Sequence, residues 1–496
     1  MRQGPLAGRY PAVAAMVLLA LIPYLALSAA LEPITPIIAE QLHASAQTMA
    51  LGGGLSNAAY AVGTVLAVML AQHYPQRRML LIYAAFLVLG CVLAAAATSA
   101  AMFITGRVIQ GLCTSLMLIA AVPPLALGYP TSKLKVTAMI MNMCIFGAVA
   151  LGPAIGGLQA QADAWRPLFW VTAGIAASAL VLVVLTFEDA PPADPGSPRD
   201  PLALILAGIG CVAAFFGSSQ LTSHAFLDPI VIVPLIGGLA TIVLLIVYQA
   251  TARNPLLTIR EMLTSTIPVA GIVLALLAAA ASVSATALTA AAMTDKYGPL
   301  HLGLLYLPEL GGAIITAFAL GQVITRKSIV YLPLAGMFFL AAGIAVFLIQ
   351  VPSNEGLTLI ASFLTGIGLG ATVAPALFAA GFALRATNLQ RVFAIVELLR
   401  AVAAFMIAPI FAHFAVNYSG GLDEGVSIAL WIGLGLAILG GIIPVVLYRL
   451  GGARPEAPDI DAFLAGEKAG YESPPLLARL RSSHREGAGT VTQGAR

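Results

Sequence analysis

The chain has 496 residues, of which 60% are hydrophobic and only 9% charged, and its mean hydropathy is +0.97. About a quarter of the residues in an ordinary globular domain are charged, so this chain lacks the polar surface that water demands, and lipid must be its solvent. A net charge of +3 is too small to point to nucleic acid. No Gly-x-Ser-x-Gly elbow, Walker loop or metal-spaced His/Asp cluster is present, which argues against an enzyme, a bound metal or a built-in ATP motor.

Arg2 and Arg9 precede the first apolar run, which is too long for a signal-peptide core and reads as a retained first span. About 20 apolar residues cross the hydrocarbon as a helix, and only helices satisfy every backbone polar group of an open chain there. Runs of that length predict fourteen helices: 13–38, 48–71, 79–98, 102–126, 137–159, 167–187, 201–221, 229–249, 267–292, 302–324, 329–350, 357–383, 392–416 and 426–448. Cys91, Cys113, Cys144 and Cys211 each lie inside an apolar run and read as packing residues. An acidic, Pro-rich linker follows helix six, from residue 188 to 200, and residues 253–266 are expected to hold a short surface helix before helix nine. The expected organisation is a six-helix half (1–187), a linker with an inserted helix pair (188–266), a second six-helix half (267–448) and a disordered cytoplasmic tail (449–496).

Charge orients this bundle. A cytoplasmic N-terminus puts Arg77, Arg78, Lys133, Lys135, Arg199, Arg253, Arg260, Arg326, Lys327, Arg385, Arg391 and Arg449 inside, and leaves only Arg166 and Lys296 outside. The positive-inside rule demands this asymmetry, with both termini cytoplasmic. Helix two ends Val68-Met69-Leu70-Ala71-Gln72 before Arg77-Arg78, and helix ten ends Phe318-Ala319-Leu320-Gly321-Gln322 before Arg326-Lys327. This reads either as a parallel six-helix repeat or as two basic turns alike by topology alone.

Helix five contains Gly152-Pro153-Ala154-Ile155-Gly156-Gly157, followed by Trp165-Arg166-Pro167-Leu168-Phe169-Trp170; helix four contains Arg107-Val108-Ile109-Gln110-Gly111; Asn254-Pro255-Leu256 precedes helix nine. In this order and placement the motifs resemble those of the fourteen-helix drug:proton antiporters of the major facilitator superfamily, over about residues 13–448. The resemblance implies a major facilitator-like all-α bundle that exports small-molecule cargo by alternating access. It also implies protons as the coupling partner and a proton gradient, not a cofactor, as the energy source. A monomer in a bacterial inner membrane is expected. Gly152, Pro153, Gly156 and Gly157 would form a bent, closely packed gating seam. The family's loop after helix two carries an Asp and a Gly before its basic pair; here His73 and Gln76 stand there, with Arg77 and Arg78 kept. That leaves the family's charge lock between halves in question.

Five ionisable residues lie at membrane depth, where charge is expensive and functional by default: Glu32, Arg107, Glu309, Glu397 and Arg400. Glu32 and Arg107 sit roughly 8–10 Å below the outer ends of helices one and four by helical rise, so they could meet across a cavity. Glu32 is assigned as the coupling acid and Arg107 as its modulator, against a static ion pair. Glu309 reads as a second proton or cargo site, or as a hydrated carboxyl near the mouth. Glu397 and Arg400, three apart on helix thirteen, read as a structural ion pair. The competing functions are a dedicated single-metabolite transporter and a non-transporting sensor or scaffold of the same fold.

Overall fold

A computed structural model describes residues 4–186, 188, 192, 194–196, 198–349, 354–454, 456–476 and 478. The described residues form seventeen α-helices and no β-strand. They are α1 (Tyr10–Gln41), α2 (Ala46–His73), α3 (Gln76–Ala95), α4 (Ala100–Leu127), α5 (Thr131–Gln161), α6 (Arg166–Thr186), α7 (Pro201–Ser219), α8 (Pro229–Thr251), α9 (Ile259–Thr264), α10 (Thr266–Met293), α11 (Pro299–Leu305), α12 (Pro308–Val323), α13 (Leu332–Ile349), α14 (Glu355–Phe382), α15 (Leu389–Val416), α16 (Leu422–Gly451) and α17 (Ile460–Leu464). Fourteen spans are long and apolar enough to cross a membrane, with α11 and α12 sharing the tenth. Each begins and ends within a few residues of its sequence expectation, because hydropathy and the turn residues that bound it act on the same positions.

Local chemistry sets the boundaries. Ser45 caps α2 by accepting from Thr48 N at 3.1 Å, and Asp200 caps α7 by accepting from Ala203 N at 3.0 Å. α1 runs unbroken through Pro23, Pro33 and Pro36, as lipid-embedded helices can when their neighbours restrain them. The tenth span departs from the continuous helix expected at 302–324. It breaks at Tyr306–Leu307, where Pro308 opens α12 and cannot donate to the turn before it. The short surface helix expected within 253–266 is α9.

The packing repeats. α1 packs on α5 and α6, α2 on α4, and α3 on α4 and α6; in the same way α10 packs on α15 and α16, α12 on α14, and α13 on α14 and α16. The repeat hinted at by the two helix ends is therefore present in the packing. The halves meet along two seams, α2 against α15 and α5 against α11–α12. α7 and α8 join closely through Gly210, Gly217 and Gly238; a Cβ on Gly217 would lie 2.7 Å from Val231 O. This pair covers the first seam, with Gln47 Nε2 donating to Gln220 Oε1 at 2.7 Å and His413 Nδ1 2.9 Å from Leu221 O. Outward-facing side chains such as Phe338 and Val233 are 70% and 66% exposed, as a lipid-facing surface requires.

The tail departs from expectation. Beyond α16 the chain folds back across the face where α1 begins and α16 ends, hereafter the terminal face. Gly470 N donates to Phe382 O at 2.7 Å, Thr266 N to Pro474 O at 3.0 Å, and Ile267 N to Ser473 Oγ at 3.0 Å. Phe463 is fully buried and edge-on to Phe382 at 5.2 Å, and Tyr471 is buried with its hydroxyl on Ala379 O. Asp461 accepts from Thr131 Oγ1, which links the tail to the first half. A few aromatic anchors in a polar stretch suffice to order it, which average composition conceals. Residues 479–496 lie outside the described residues.

Candidate functional site

Two cavities lie between the halves, toward the face opposite the terminal face. The larger, about 390 Å³, is lined by α1, α5, α10 and α11, including Pro33, Pro36, Pro153, Tyr297 and Tyr306. The second, about 250 Å³, is lined by α1, α2, α4 and α15, including Asn57, Phe103, Arg107 and Phe405. Glu32 lines both. Its side chain is exposed to this space and forms no salt bridge among the described residues.

Arg107 shares the smaller cavity with Glu32 but is not bound to it. Its Nη1 donates to Gln110 Oε1 at 2.7 Å, and its guanidinium lies 5.0 Å from the centre of the Tyr24 ring. Gln110 is itself anchored to α3, donating to Gly90 O at 3.3 Å. The direct pairing allowed by helical rise therefore does not occur, because a local amide and an aromatic face hold the cation.

Tyr24 begins a polar chain that crosses the molecule. Its hydroxyl donates to Asn57 Oδ1 at 2.9 Å, and Ser56 Oγ donates to Arg107 O at 2.9 Å. Tyr24 stacks on Tyr60 with ring centres 5.5 Å apart and planes 8° from parallel. Tyr60 then donates across the α2–α15 seam to Glu397 Oε2 at 3.2 Å. That oxygen also accepts from Arg400 Nε at 3.0 Å and Nη2 at 2.7 Å. The Glu397–Arg400 ion pair expected from spacing is present, and it also receives a hydrogen bond from the opposite half. Tyr24, Asn57 and Tyr60 were not singled out from the sequence, and Gln110 entered only as part of the helix-four motif. The available signal was that each interrupts an apolar run with a hydrogen-bonding group.

Glu309 is buried, 7% exposed, in the first turn of α12. This corrects the reading of a hydrated carboxyl near the mouth: the break at Tyr306–Leu307 turns the residue inward, and its backbone rests on Gly366 of α14. Tyr306 lines the larger cavity, accepts the backbone N–H of Glu309 on its carbonyl, and is held to Thr289 Oγ1 at 2.6 Å.

The helix-five motif lies against α1 and α11. A Cβ on Gly152 would come within 2.9 Å of Ala30 N, and one on Gly156 within 2.8 Å of Pro33 Cγ. On Gly157 it would come within 2.8 Å of Pro299 C; reciprocally, on Gly303 it would lie 2.8 Å from Ala154 Cα. Small residues let these backbones approach, and Pro153 lines the larger cavity. Trp165 Nε1 and Arg166 Nη1 both donate to Gln41 Oε1, at 2.9 and 3.0 Å, and fasten the end of α1 to α6.

On the terminal face, His73 Nδ1 lies 2.8 Å from Met69 O and Gln76 Nε2 donates to Ala120 O at 2.9 Å, so the altered loop beside Arg77 and Arg78 is tied within its own half. A link between halves on this side runs from Gln390 Nε2 to Ile119 O at 3.1 Å.

Residues 16–325, more than half of the chain, match the family model described as Major Facilitator Superfamily. Among curated proteins, the chain is 26% identical to the lincomycin resistance protein LmrB of Bacillus subtilis over 48% of this chain and 47% of that one. It is 27% identical to the tetracenomycin C resistance and export protein of Streptomyces glaucescens, over 67% and 62%, and 26% identical to a multidrug resistance protein B homolog of Mycobacterium tuberculosis, over 62% and 57%. The chain thus spans about half to three fifths of these relatives' lengths. In fold it is similar to the human organic anion transporter MFSD10 (TM-score 0.60, 15% identity, 88% of this chain and 99% of that one). It is likewise similar to the peptide transporter POT (TM-score 0.61, 15% identity, 90% and 96%). Fourteen membrane-length helices among the described residues, a repeated six-helix packing around cavities between the halves, and the family match lead to one conclusion: this chain belongs to the Major Facilitator Superfamily.

Proposed function

We propose that the protein exports amphipathic small molecules in exchange for protons, by alternating access, as a monomer in a bacterial inner membrane with both termini cytoplasmic. The concentration of Arg and Lys at the terminal face supports that sidedness. The two cavities then face the exterior, while the Gln390–Ile119 contact and the tail close the cytoplasmic side. The resistance names of the bacterial relatives favour export of drug-like cargo.

The carrying observation is Glu32: a carboxyl without an ionic partner among the described residues, standing where the two cavities meet. A carboxyl in that position takes a proton from the exterior and gives it up when the cavity turns inward. Arg107, fixed by Gln110 and Tyr24 on the same cavity, is in this reading the modulator of Glu32. Glu309, whose backbone N donates to Tyr306 O beside the larger cavity, supplies a second acid. The apolar lining accommodates the body of the cargo. Gly152, Pro153, Gly156 and Gly157 gate the exterior side by letting α5 close on α1 and α11.

Glu32→Gln keeps the shape and removes the exchangeable proton. In energised vesicles the variant is expected to lose gradient-driven dye export by at least about tenfold while keeping normal membrane levels. Undiminished export would remove Glu32 from the coupling step and, with it, the reading built on this residue.

A further inference from the structure

Below the two cavities, toward the terminal face, a pocket of about 30 Å³ is enclosed between the halves by α4, α5, α14 and α15. Its polar lining is Asn142 of α5 with Glu397 and Arg400 of α15; side chains such as Leu118, Val373 and Phe393 make up the apolar remainder. Asn142 is completely buried, and neither its Nδ2 nor its Oδ1 has a hydrogen-bond partner among the described residues. Glu397 spends one oxygen on three hydrogen bonds, from Tyr60 and twice from Arg400, and its Oε1 accepts none among the described residues.

A buried carboxamide with both ends unpaired destabilises the conformation that contains it. It is retained most readily where a second conformation, or a bound molecule, completes its hydrogen bonds. The pocket is far below the ~300 Å³ of a ligand site, so it is shut here, and because its walls come from both halves it widens when they part on the terminal face.

Resting on the carrier reading above, we propose that Asn142 and the free oxygen of Glu397 form a cargo head-group subsite that opens to the terminal face and recognises a neutral hydrogen-bonding group, a primary amide or a hydroxyl. The charges of Glu397 and Arg400 cancel each other at 2.7 Å, so the subsite offers a charged cargo little net attraction. What remains uncommitted is one amide donor and two acceptor oxygens, the complement of a small polar head on an apolar body.

The test pairs 2-naphthamide with N,N-dimethyl-2-naphthamide, which lacks the N–H donors, and measures proton-driven flux of each in vesicles of the full chain. The native protein is expected to favour the primary amide by at least about tenfold, since a site built for a hydrogen bond rejects the analogue lacking it. Asn142→Leu, of similar volume, should collapse that ratio toward one, while the purified variant unfolds no more readily than the native protein because an unpaired amide has gone. Earlier unfolding of Asn142→Leu would mean that the carboxamide is already satisfied in this conformation, and would overturn the proposal. Equal flux of the two amides, or no flux of either alongside brisk proton-driven dye export, would refute the subsite and leave the carrier reading standing. Absence of any gradient-driven flux would sink both.

Discussion

Gly157 on α5 is the sharpest place to perturb the contact between the halves. A Cβ built there lies against Pro299 O, 2.8 Å from Pro299 C and 3.0 Å from Leu300 Cα, all of them backbone atoms of α11. Contact becomes ordinary at 3.4 Å, so Gly157→Ala must drive the α11 backbone back by at least 0.6 Å (3.4 − 2.8). Overpacking of this kind costs about 1–3 kcal/mol, a factor of roughly 5–150 in the equilibrium between two arrangements. Gly174 on α6 is the control, because a Cβ there meets nothing within 4 Å. Both substitutions add the same helix propensity, about 1 kcal/mol, so the difference between them isolates the clash. In detergent, denaturant titration of the purified variants should place Gly157→Ala below Gly174→Ala by about that 1–3 kcal/mol, with a matching fall in flux. Coincident unfolding curves and equal flux would show that the α5–α11 seam is not close-packed in the working protein.

Two further outcomes follow from the buried groups and the tail. Arg400→Met strands the Glu397 carboxylate at 7% side-chain exposure, and breaking such a pair costs about 3–5 kcal/mol; thermal unfolding should fall sharply, and Glu397→Met added to it should recover most of the loss. No recovery in the double variant would mean that the Tyr60 link, not the stranded charge, dominates. Ending the chain at Ala453 removes Phe463 and Tyr471 from Phe382 and Ala379; the shortened protein should unfold earlier and be cut faster by protease at the ends of α10 and α14. Unchanged proteolysis would show that the tail does not rest on this face in solution.

Composition alone determined that the solvent is lipid, and hydropathy determined the fourteen spans to within several residues at each end, because crossing hydrocarbon is a local demand on each segment. Spacing also determined the Glu397–Arg400 pair, since three residues along one helix place side chains together whatever surrounds them. Tertiary structure decided the rest of the site. Glu32 and Arg107 share a cavity without touching because Gln110 and Tyr24 capture the guanidinium. Glu309 is buried because the tenth span breaks before it, and Tyr60 reaches Glu397 across a separation of 337 residues. Residues 456–476 of the tail are held by two aromatic side chains that find a surface made elsewhere in the chain. The physical reason is the same in each case: membrane insertion is judged one segment at a time, whereas the partner of a buried polar or aromatic group is chosen by how distant helices pack.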